Sequence, residues 1–127
     1  MVRIKPGDKG RTYPGRLLRV VDGDTYDIEI DLGFHTTMKD RFRHAFVDTW
    51  EVRGPNKALG DLATDNVQIW FQEALDLAVD RDWPISVTTY KEDAQGKYGR
   101  WLCEVHNESQ QDLGDFIRSV GGIKIIS

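Results

Sequence analysis

The chain has 127 residues, a length that suits one domain and can bury a core without disulfide or metal staples. Its net charge of −4 gives no global indication of nucleic-acid binding, so any anion site must be a local concentration of Arg and Lys. The single cysteine, Cys103, excludes an internal disulfide and a cysteine-rich zinc site, and no apolar run reaches the roughly 18 residues of a membrane span.

The beginning of the chain is polar and rich in glycine and proline. Residues 1–12 therefore predict a flexible N-terminal arm, with a single domain over residues 13–127. The stretch MVRIKPGDKGRTYPG lacks the apolar segment of a signal peptide. We expect a cytoplasmic monomer without a membrane partner, and secretion after processing is the alternative.

Three strands are predicted in the first part of the chain, at residues 16–21, 25–32 and 36–47. The turn Asp22-Gly23-Asp24 separates the first two, and Gly33 marks the next turn. The second strand alternates, with its apolar side chains on one face: Tyr26, Ile28, Ile30 and Leu32. Short turns between consecutive strands indicate a meander.

A loop and a long helix follow. Residues 52–60 contain Gly and Pro and predict a loop, whereas residues 61–79 have apolar side chains at helical spacing. Asp61 is the predicted N-cap, because its carboxylate can accept hydrogen bonds from the first backbone N–H groups of the helix.

Two more strands, at residues 85–90 and 100–106, and a short helix at 113–120 complete the chain. The order β-β-β-α-β-β-α predicts an α+β, mainly β fold: a five-stranded Greek-key barrel of the OB-fold class with two to three helices.

Short polar motifs lie at the ends of the predicted strands: DGDT at residues 22–25, RHAFVDTWE at 43–51 and KYGR at 97–100. Each motif alone is typical of a turn, a cap or a solvated hairpin end. Together they contain the groups needed to cleave a phosphodiester, which are carboxylates for a hard cation, a carboxylate for the attacking water and guanidiniums for the phosphoryl oxygens.

The spacing of Arg43 and Asp48 sets a geometric condition. The two are five residues apart, so a flat strand would direct them to opposite faces. A bulge, a bend or a strand end between them is required if both serve one site, and Arg41, on the same face as Arg43, is the fallback candidate.

The motifs DGDT, R-x-x-x-x-D-T-x-E and KYGR, in this order, resemble those of the staphylococcal-nuclease (thermonuclease) family over roughly residues 16–120. The resemblance implies a calcium-dependent nuclease on a barrel of this class. It further implies that Ca²⁺ is bound by the side chains of Asp24 and Asp48 and by the carbonyl of Thr49. Two departures are the acidic net charge and Trp50, which stands where the family commonly has proline.

The same resemblance assigns catalytic roles to Arg43, Glu51 and Arg100. It implies that Lys97 and Tyr98 contact the terminal phosphate of a bound nucleotide. Members of the family usually cut the bond between phosphorus and the 5′-oxygen of DNA and RNA, leaving 3′-phosphates.

We predict structural roles for the histidines, for most of the tryptophans and for the cysteine. The three histidines have no metal-ligand spacing, and we expect them on the surface or in packing: His35, His44 and His106. Trp70 and Phe71 are predicted core residues of the helix, Cys103 is predicted to be a buried small apolar residue, and Trp83 and Trp101 are expected in the core or at the barrel rim. Asp22 is either a turn residue or a hydrogen-bonding partner of the metal ligands.

Two other functional classes remain. OB-folds commonly bind single-stranded nucleic acid without cleaving it, and a protein-interaction domain would suit the acidic charge. Because the sequence contains every carboxylate and arginine of the proposed site, we favour the nuclease. The sequence does not determine whether the substrate is DNA or RNA, whether it is single- or double-stranded, or whether it is cut internally or from an end.

Overall fold

The computed structural model describes residues 10–50, 52–91 and 101–120. Within these ranges the chain forms five strands and two helices: β1 (Arg11–Asp22), β2 (Thr25–Gly33), β3 (Thr36–His44), α1 (Lys57–Leu77), β4 (Ile85–Lys91), β5 (Trp101–Asn107) and α2 (Leu113–Val120). The predicted order of elements is confirmed.

The five strands close into one barrel with the order β1-β2-β3-β5-β4. Neighbouring strands are antiparallel except β3 and β5, which run parallel. A three-stranded meander closed by a crossing fourth and fifth strand is the architecture of the OB-fold, so the predicted α+β fold class is confirmed.

Strand β1 begins earlier than the sequence predicts. Arg11 and Thr12, predicted to belong to the flexible arm, pair with β4, and the hydroxyls of Thr12 and Thr88 share a hydrogen bond of 2.8 Å. Their polar side chains gave no apolar alternation, because this end of β1 is exposed. Residues 1–9 of the predicted arm lie outside the described residues.

Gly15 is the point at which β1 exchanges one neighbour for the other, since it pairs with both Ile30 and Ile85. A Cβ atom there would lie 2.7 Å from a methyl group of Val87 and 3.3 Å from the carbonyl oxygen of Glu29. A glycine therefore lets the strands approach closely enough for the barrel to close.

The barrel interior contains the predicted apolar face of β2. Tyr26, Ile28 and Ile30 are fully or almost fully buried, whereas Leu32, near the strand end, is 39% exposed. The Tyr26 hydroxyl donates a 2.7 Å hydrogen bond to the carbonyl of Gly23, so this buried polar atom is satisfied. Cys103 is also completely buried, as predicted.

Helix α1 begins at Lys57, four residues before the predicted start. Asn56 is the N-cap, although its side chain makes no capping hydrogen bond, and Asp61 lies inside the helix, where it pairs with Lys57 at 2.6 Å. The prediction was wrong because Gly60 was taken as a helix breaker. In the structure Gly60 lies within the helix and belongs to its buried face.

The buried face of α1 packs on one end of the barrel. It contains residues at helical spacing: Gly60, Ala63, Val67, Trp70, Phe71 and Ala74. Phe71 makes edge-to-face contacts with Tyr26 and Trp70, both with ring centroids 5.3 Å apart, so the predicted core role of Trp70 and Phe71 is confirmed. No helix within the described ranges is long and apolar enough to cross a membrane.

The hairpin between β2 and β3 has an unusual turn. Gly33, Phe34 and His35 have consecutive positive φ angles of 83°, 55° and 59°. Phe34 is 99% exposed, and a bulky residue in the left-handed region is a backbone outlier. The turn is held by the Gly33 N–H, which donates a 2.8 Å hydrogen bond to the Asp31 carboxylate.

Candidate active site

The predicted site residues of the first half of the chain meet where β3 ends against the β1–β2 turn. Arg43 pairs with Thr25 in the sheet register, which places its side chain beside Asp24. One guanidinium nitrogen of Arg43 lies 3.9 Å from Asp24 Oδ2, and the same nitrogen forms an ion pair with Asp48. The three side chains are largely buried, with exposures of 12–16%.

The odd spacing of Arg43 and Asp48 is resolved by a strand end. Strand β3 stops at His44, not at the predicted residue 47, and the chain bends at Ala45 and Phe46. The bend is held by the Ala45 N–H, which donates a 2.9 Å hydrogen bond to the carbonyl of Cys103 on β5. Asp48 thus returns to the side on which Arg43 lies.

Arg41, the fallback candidate, makes different contacts. Its guanidinium forms two hydrogen bonds with Asp27, its register partner on β2, at 2.8 and 3.2 Å. These hydrogen bonds lower the pKa of the Asp27 carboxyl from its usual value. The two arginines therefore contact different carboxylates: Arg41 binds Asp27, whereas Arg43 lies next to Asp24 and Asp48.

Asp24 is held in one orientation by backbone and side-chain donors. Its Oδ2 accepts a 3.1 Å hydrogen bond from the Thr49 N–H, and its Oδ1 accepts one of 3.1 Å from the Thr25 hydroxyl. The carbonyl of Asp24 accepts a 2.7 Å hydrogen bond from the His44 N–H. These three hydrogen bonds fix the position of the Asp24 backbone and of both carboxylate oxygens.

Thr49 packs against the β1–β2 turn with almost no free space. A Cβ atom on Gly23 would lie 2.8 Å from Thr49 Oγ1 and 2.9 Å from Ala63 Cβ of α1. Thr49 Oγ1 is buried and has no hydrogen-bond partner among the described residues. Gly23 of the DGDT motif is thus needed for the close approach that brings the Thr49 N–H to Asp24.

His44 stabilises the bend that follows β3. Its Nδ1 accepts a 3.2 Å hydrogen bond from the Phe46 N–H, whereas its Nε2 is buried without a partner among the described residues. Burial, and then the positive charge of Arg118, lower the pKa of His44 to about 3. The predicted packing role of His44 is confirmed, but its place directly under the site could not be foreseen, because the only signal was its position after Arg43.

Four predicted site residues lie outside the described residues: Glu51, Lys97, Tyr98 and Arg100. Asp22, whose role was left open, pairs with Thr25 in the register of β1 and β2. Its charge acts on Arg41, and the choice between its two predicted roles stays open.

The donor set fits a hard cation better than a soft one. Asp24 and Asp48 contribute carboxylates that converge on one guanidinium nitrogen, and the Thr49 N–H is hydrogen-bonded to Asp24 beside them. The carbonyl of Thr49 is a ligand only by the resemblance. No group of three His, Cys, Asp or Glu side chains lies together within residues 10–50, 52–91 and 101–120. Two carboxylates completed by a carbonyl and water suit Ca²⁺, which accepts flexible oxygen coordination.

Comparison with known proteins gives no family assignment. No protein-family model matches the chain, and no match was found among curated proteins.

Proposed function

We propose that this protein is a calcium-dependent nuclease that hydrolyses phosphodiester bonds of DNA or RNA. The observation that carries the proposal is the convergence of Asp24, Arg43, Asp48 and Thr49, from three segments of the chain, at one end of an OB-fold barrel. Charged side chains that are this deeply buried are costly to desolvate, and groups of this kind are often retained for function.

Asp24, Asp48 and the carbonyl of Thr49 would hold the calcium ion. When bound, the ion would neutralise the phosphoryl oxygens and polarise the phosphorus centre. The hydrogen bonds to Asp24 restrict its rotation, so this ligand is oriented before substrate arrives.

Arg43 would bind the non-bridging oxygens of the scissile phosphate, on which negative charge grows in the transition state. One of its nitrogens contacts the carboxylates, and its planar group has further N–H donors that can bind two oxygens at once. By the resemblance, Arg100 is its partner, Glu51 orients or deprotonates the attacking water, and Lys97 and Tyr98 bind the terminal phosphate. The expected products carry 3′-phosphates.

The proposal is tested by incubating the purified protein with single-stranded DNA and RNA in calcium and in chelator. We expect cleavage that requires calcium. Glu51→Gln should lower the rate by about 10² to 10⁴-fold, the contribution of general-base assistance. Glu73→Gln, an exposed change on α1, is the matched control and should retain the wild-type rate.

Full activity in chelator would refute the calcium mechanism. Wild-type turnover of Glu51→Gln would exclude both roles proposed for that carboxylate. A protein that binds single-stranded DNA tightly in either buffer and never cleaves it would instead be a binding module.

A further inference from the structure

A groove on another part of the molecule has the features of a ligand site. It lies between β1, the middle of α1 and the beginning of β4, and encloses about 540 Å³. None of its lining residues belongs to the candidate active site. Its volume lies within the range of about 300–1,000 Å³ that is usual for small-molecule sites.

The floor of the groove is apolar and continuous with the core. It is formed by side chains of all three elements and of the segment before β4: Leu17, Val20, Phe71, Leu75, Pro84 and Ile85. An apolar floor of this kind favours a ligand with a flat or bulky non-polar body, because such a body removes apolar surface from water.

Three arginines line the groove, and two of them make no hydrogen bond or ion pair with a described residue. Arg16 already has partners within the protein, since it forms an ion pair with Glu29 at 2.6 Å and lies 5.1 Å from the centre of the Trp83 ring. Arg19 and Arg81 line the same groove and make no hydrogen bond or ion pair with a described residue.

Arg19 makes no hydrogen bond with Asp27 for a structural reason. Its register partner on β2 is Asp27, but both oxygens of that carboxylate accept hydrogen bonds from Arg41. Arg19 is thus left with unused N–H donors at the groove rim, on a chain whose net charge is −4. Two such arginines at one groove indicate an anionic ligand, and phosphate oxygens match the guanidinium fork.

Two amides complete the lining. Gln68 and Gln72 are four residues apart on α1 and therefore lie on one face of the helix, and both line the groove. The Gln72 amide nitrogen donates a 3.1 Å hydrogen bond to Asp76, which leaves its oxygen as an acceptor, and Gln68 makes no hydrogen bond with a described residue. Amides offer both donors and acceptors, as the edge of a nucleobase requires.

We propose that this groove binds a nucleoside phosphate, with the phosphate between Arg19 and Arg81 and the base over the apolar floor against Gln68 and Gln72. The nucleotide could be free or part of a strand, since both present the same chemistry. The proposal does not rest on nuclease activity, because the groove shares no residue with the candidate active site.

Calorimetric titration of the whole protein with adenosine 5′-monophosphate in calcium-free buffer tests the proposal. Arg19→Ala and Arg81→Ala should each weaken binding roughly tenfold, the usual effect of losing a hydrogen bond to a charged group. Arg11→Ala, an exposed arginine on the same strand outside the groove, is the matched control and should leave binding unchanged. In the Arg43→Ala background the Arg19→Ala and Arg81→Ala changes should still weaken binding tenfold, which separates this groove from the candidate active site.

Three further ligands define the chemistry. Inorganic phosphate should bind at least tenfold more weakly than the nucleotide, because it cannot use the floor. Adenylyl-adenosine, whose phosphate is an internal diester, shows whether the natural ligand is a strand or a free nucleotide. An affinity equal to that of adenosine 5′-monophosphate indicates a strand, and a tenfold lower affinity indicates a free nucleotide. Failure of the nucleotide to bind at millimolar concentration, insensitivity to both arginine changes, or tighter binding of octyl phosphate would overturn the proposal.

Discussion

Arg43 carries the positive charge that lies between two carboxylates, and this position determines what its replacement should do. Arg43→Ala should lower the cleavage rate by about 10² to 10³-fold while substrate affinity changes much less, because the lost contact is strongest in the transition state. Arg43→Lys should recover little, since an ammonium cannot bind two oxygens in a plane.

Steady-state kinetics on a labelled oligonucleotide, with the rate constant and KM determined separately, measures this prediction. Arg41→Ala is the control. Because Arg41 is bound to Asp27, this variant should retain the wild-type cleavage rate and KM. If Arg43→Ala cleaved at the wild-type rate and Arg41→Ala did not cleave, the catalytic role would belong to Arg41.

His44 makes the stability of the protein depend on pH. Its pKa is about 3 in the folded state, below the usual value near 6.5, so the unfolded chain binds the proton more readily. The contribution of neutral His44 is fully present above about pH 6.5 and is lost as the pH falls toward 3. Between pH 6.5 and 5 we expect the free energy of unfolding to fall by about 2 kcal/mol.

Urea unfolding at several pH values measures this loss, and His44→Gln should remove most of it. His35→Gln changes an exposed imidazole of the β2–β3 turn and should retain the wild-type pH dependence. An imidazole signal of His44 that titrates near neutrality by NMR would contradict the assignment.

The proximity of Asp24, Arg43 and Asp48 was predictable, because the chemistry of a phosphodiester restricts the useful side chains to carboxylates and guanidiniums. Thr49 was assigned only through the family resemblance, and the catalytic roles stay predictions. The sequence placed Asp24, Arg43, Asp48 and Thr49 in one site, and the structure brings these four together. The support by His44 could not be predicted, since it depends on packing between residues distant in sequence.

At the scale of elements, the β2–β3 turn carries backbone strain that a single change should relieve. A left-handed conformation costs an L-residue about 1–2 kcal/mol, and the Phe34 ring has no compensating contact because it is 99% exposed. Phe34→Gly should therefore raise the free energy of unfolding by about 1 kcal/mol, after allowance for the greater freedom of glycine in the unfolded chain.

Denaturant unfolding compares this variant with Thr36→Gly, which lies at the extended start of β3. The second change should lower stability by about 0.5–1 kcal/mol, because glycine weakens a strand. Destabilisation by Phe34→Gly would show that the ring is needed for the turn.

The errors in the element boundaries have a common physical origin. Hydrophobic periodicity found the interior of each element, where side chains alternate between core and solvent. It missed residues 11–15 of β1 and the first turn of α1, where backbone pairing and a buried glycine, Gly60, give no apolar signal. Strand β3 was predicted too long for the opposite reason, since Ala45 and Val47 are buried in a bend that continues the apolar pattern.

At the scale of the whole molecule, the acidic charge should make binding to nucleic acid weak. The basic groups assigned to the candidate site are Arg43, Lys97 and Arg100, so about three phosphates would be contacted. On a single strand this corresponds to a log–log salt slope near −2, at about −0.7 per contact. Titration of labelled single-stranded DNA in calcium-free buffer at several salt concentrations measures the slope.

A variant with the reversed charge on a distant face, Glu73→Lys, is a control for nonspecific attraction, and its slope should stay close to that of the wild type. Nanomolar, steeply salt-dependent binding without metal would favour the binding module, which follows many phosphates along a basic groove.

The parallel contact between β3 and β5 has a consequence for the order of folding. The bend that returns Asp48 to Arg43 is held by the carbonyl of Cys103, on the last strand of the barrel to be synthesised. Loop closure between such distant segments is slow, and a chain emerging from the ribosome makes its local hairpins first. A nascent chain would therefore bring Arg43 beside Asp24 through its β2–β3 hairpin, and Asp48 would join them only after Cys103 has been synthesised, so the proposed cation site would be completed last.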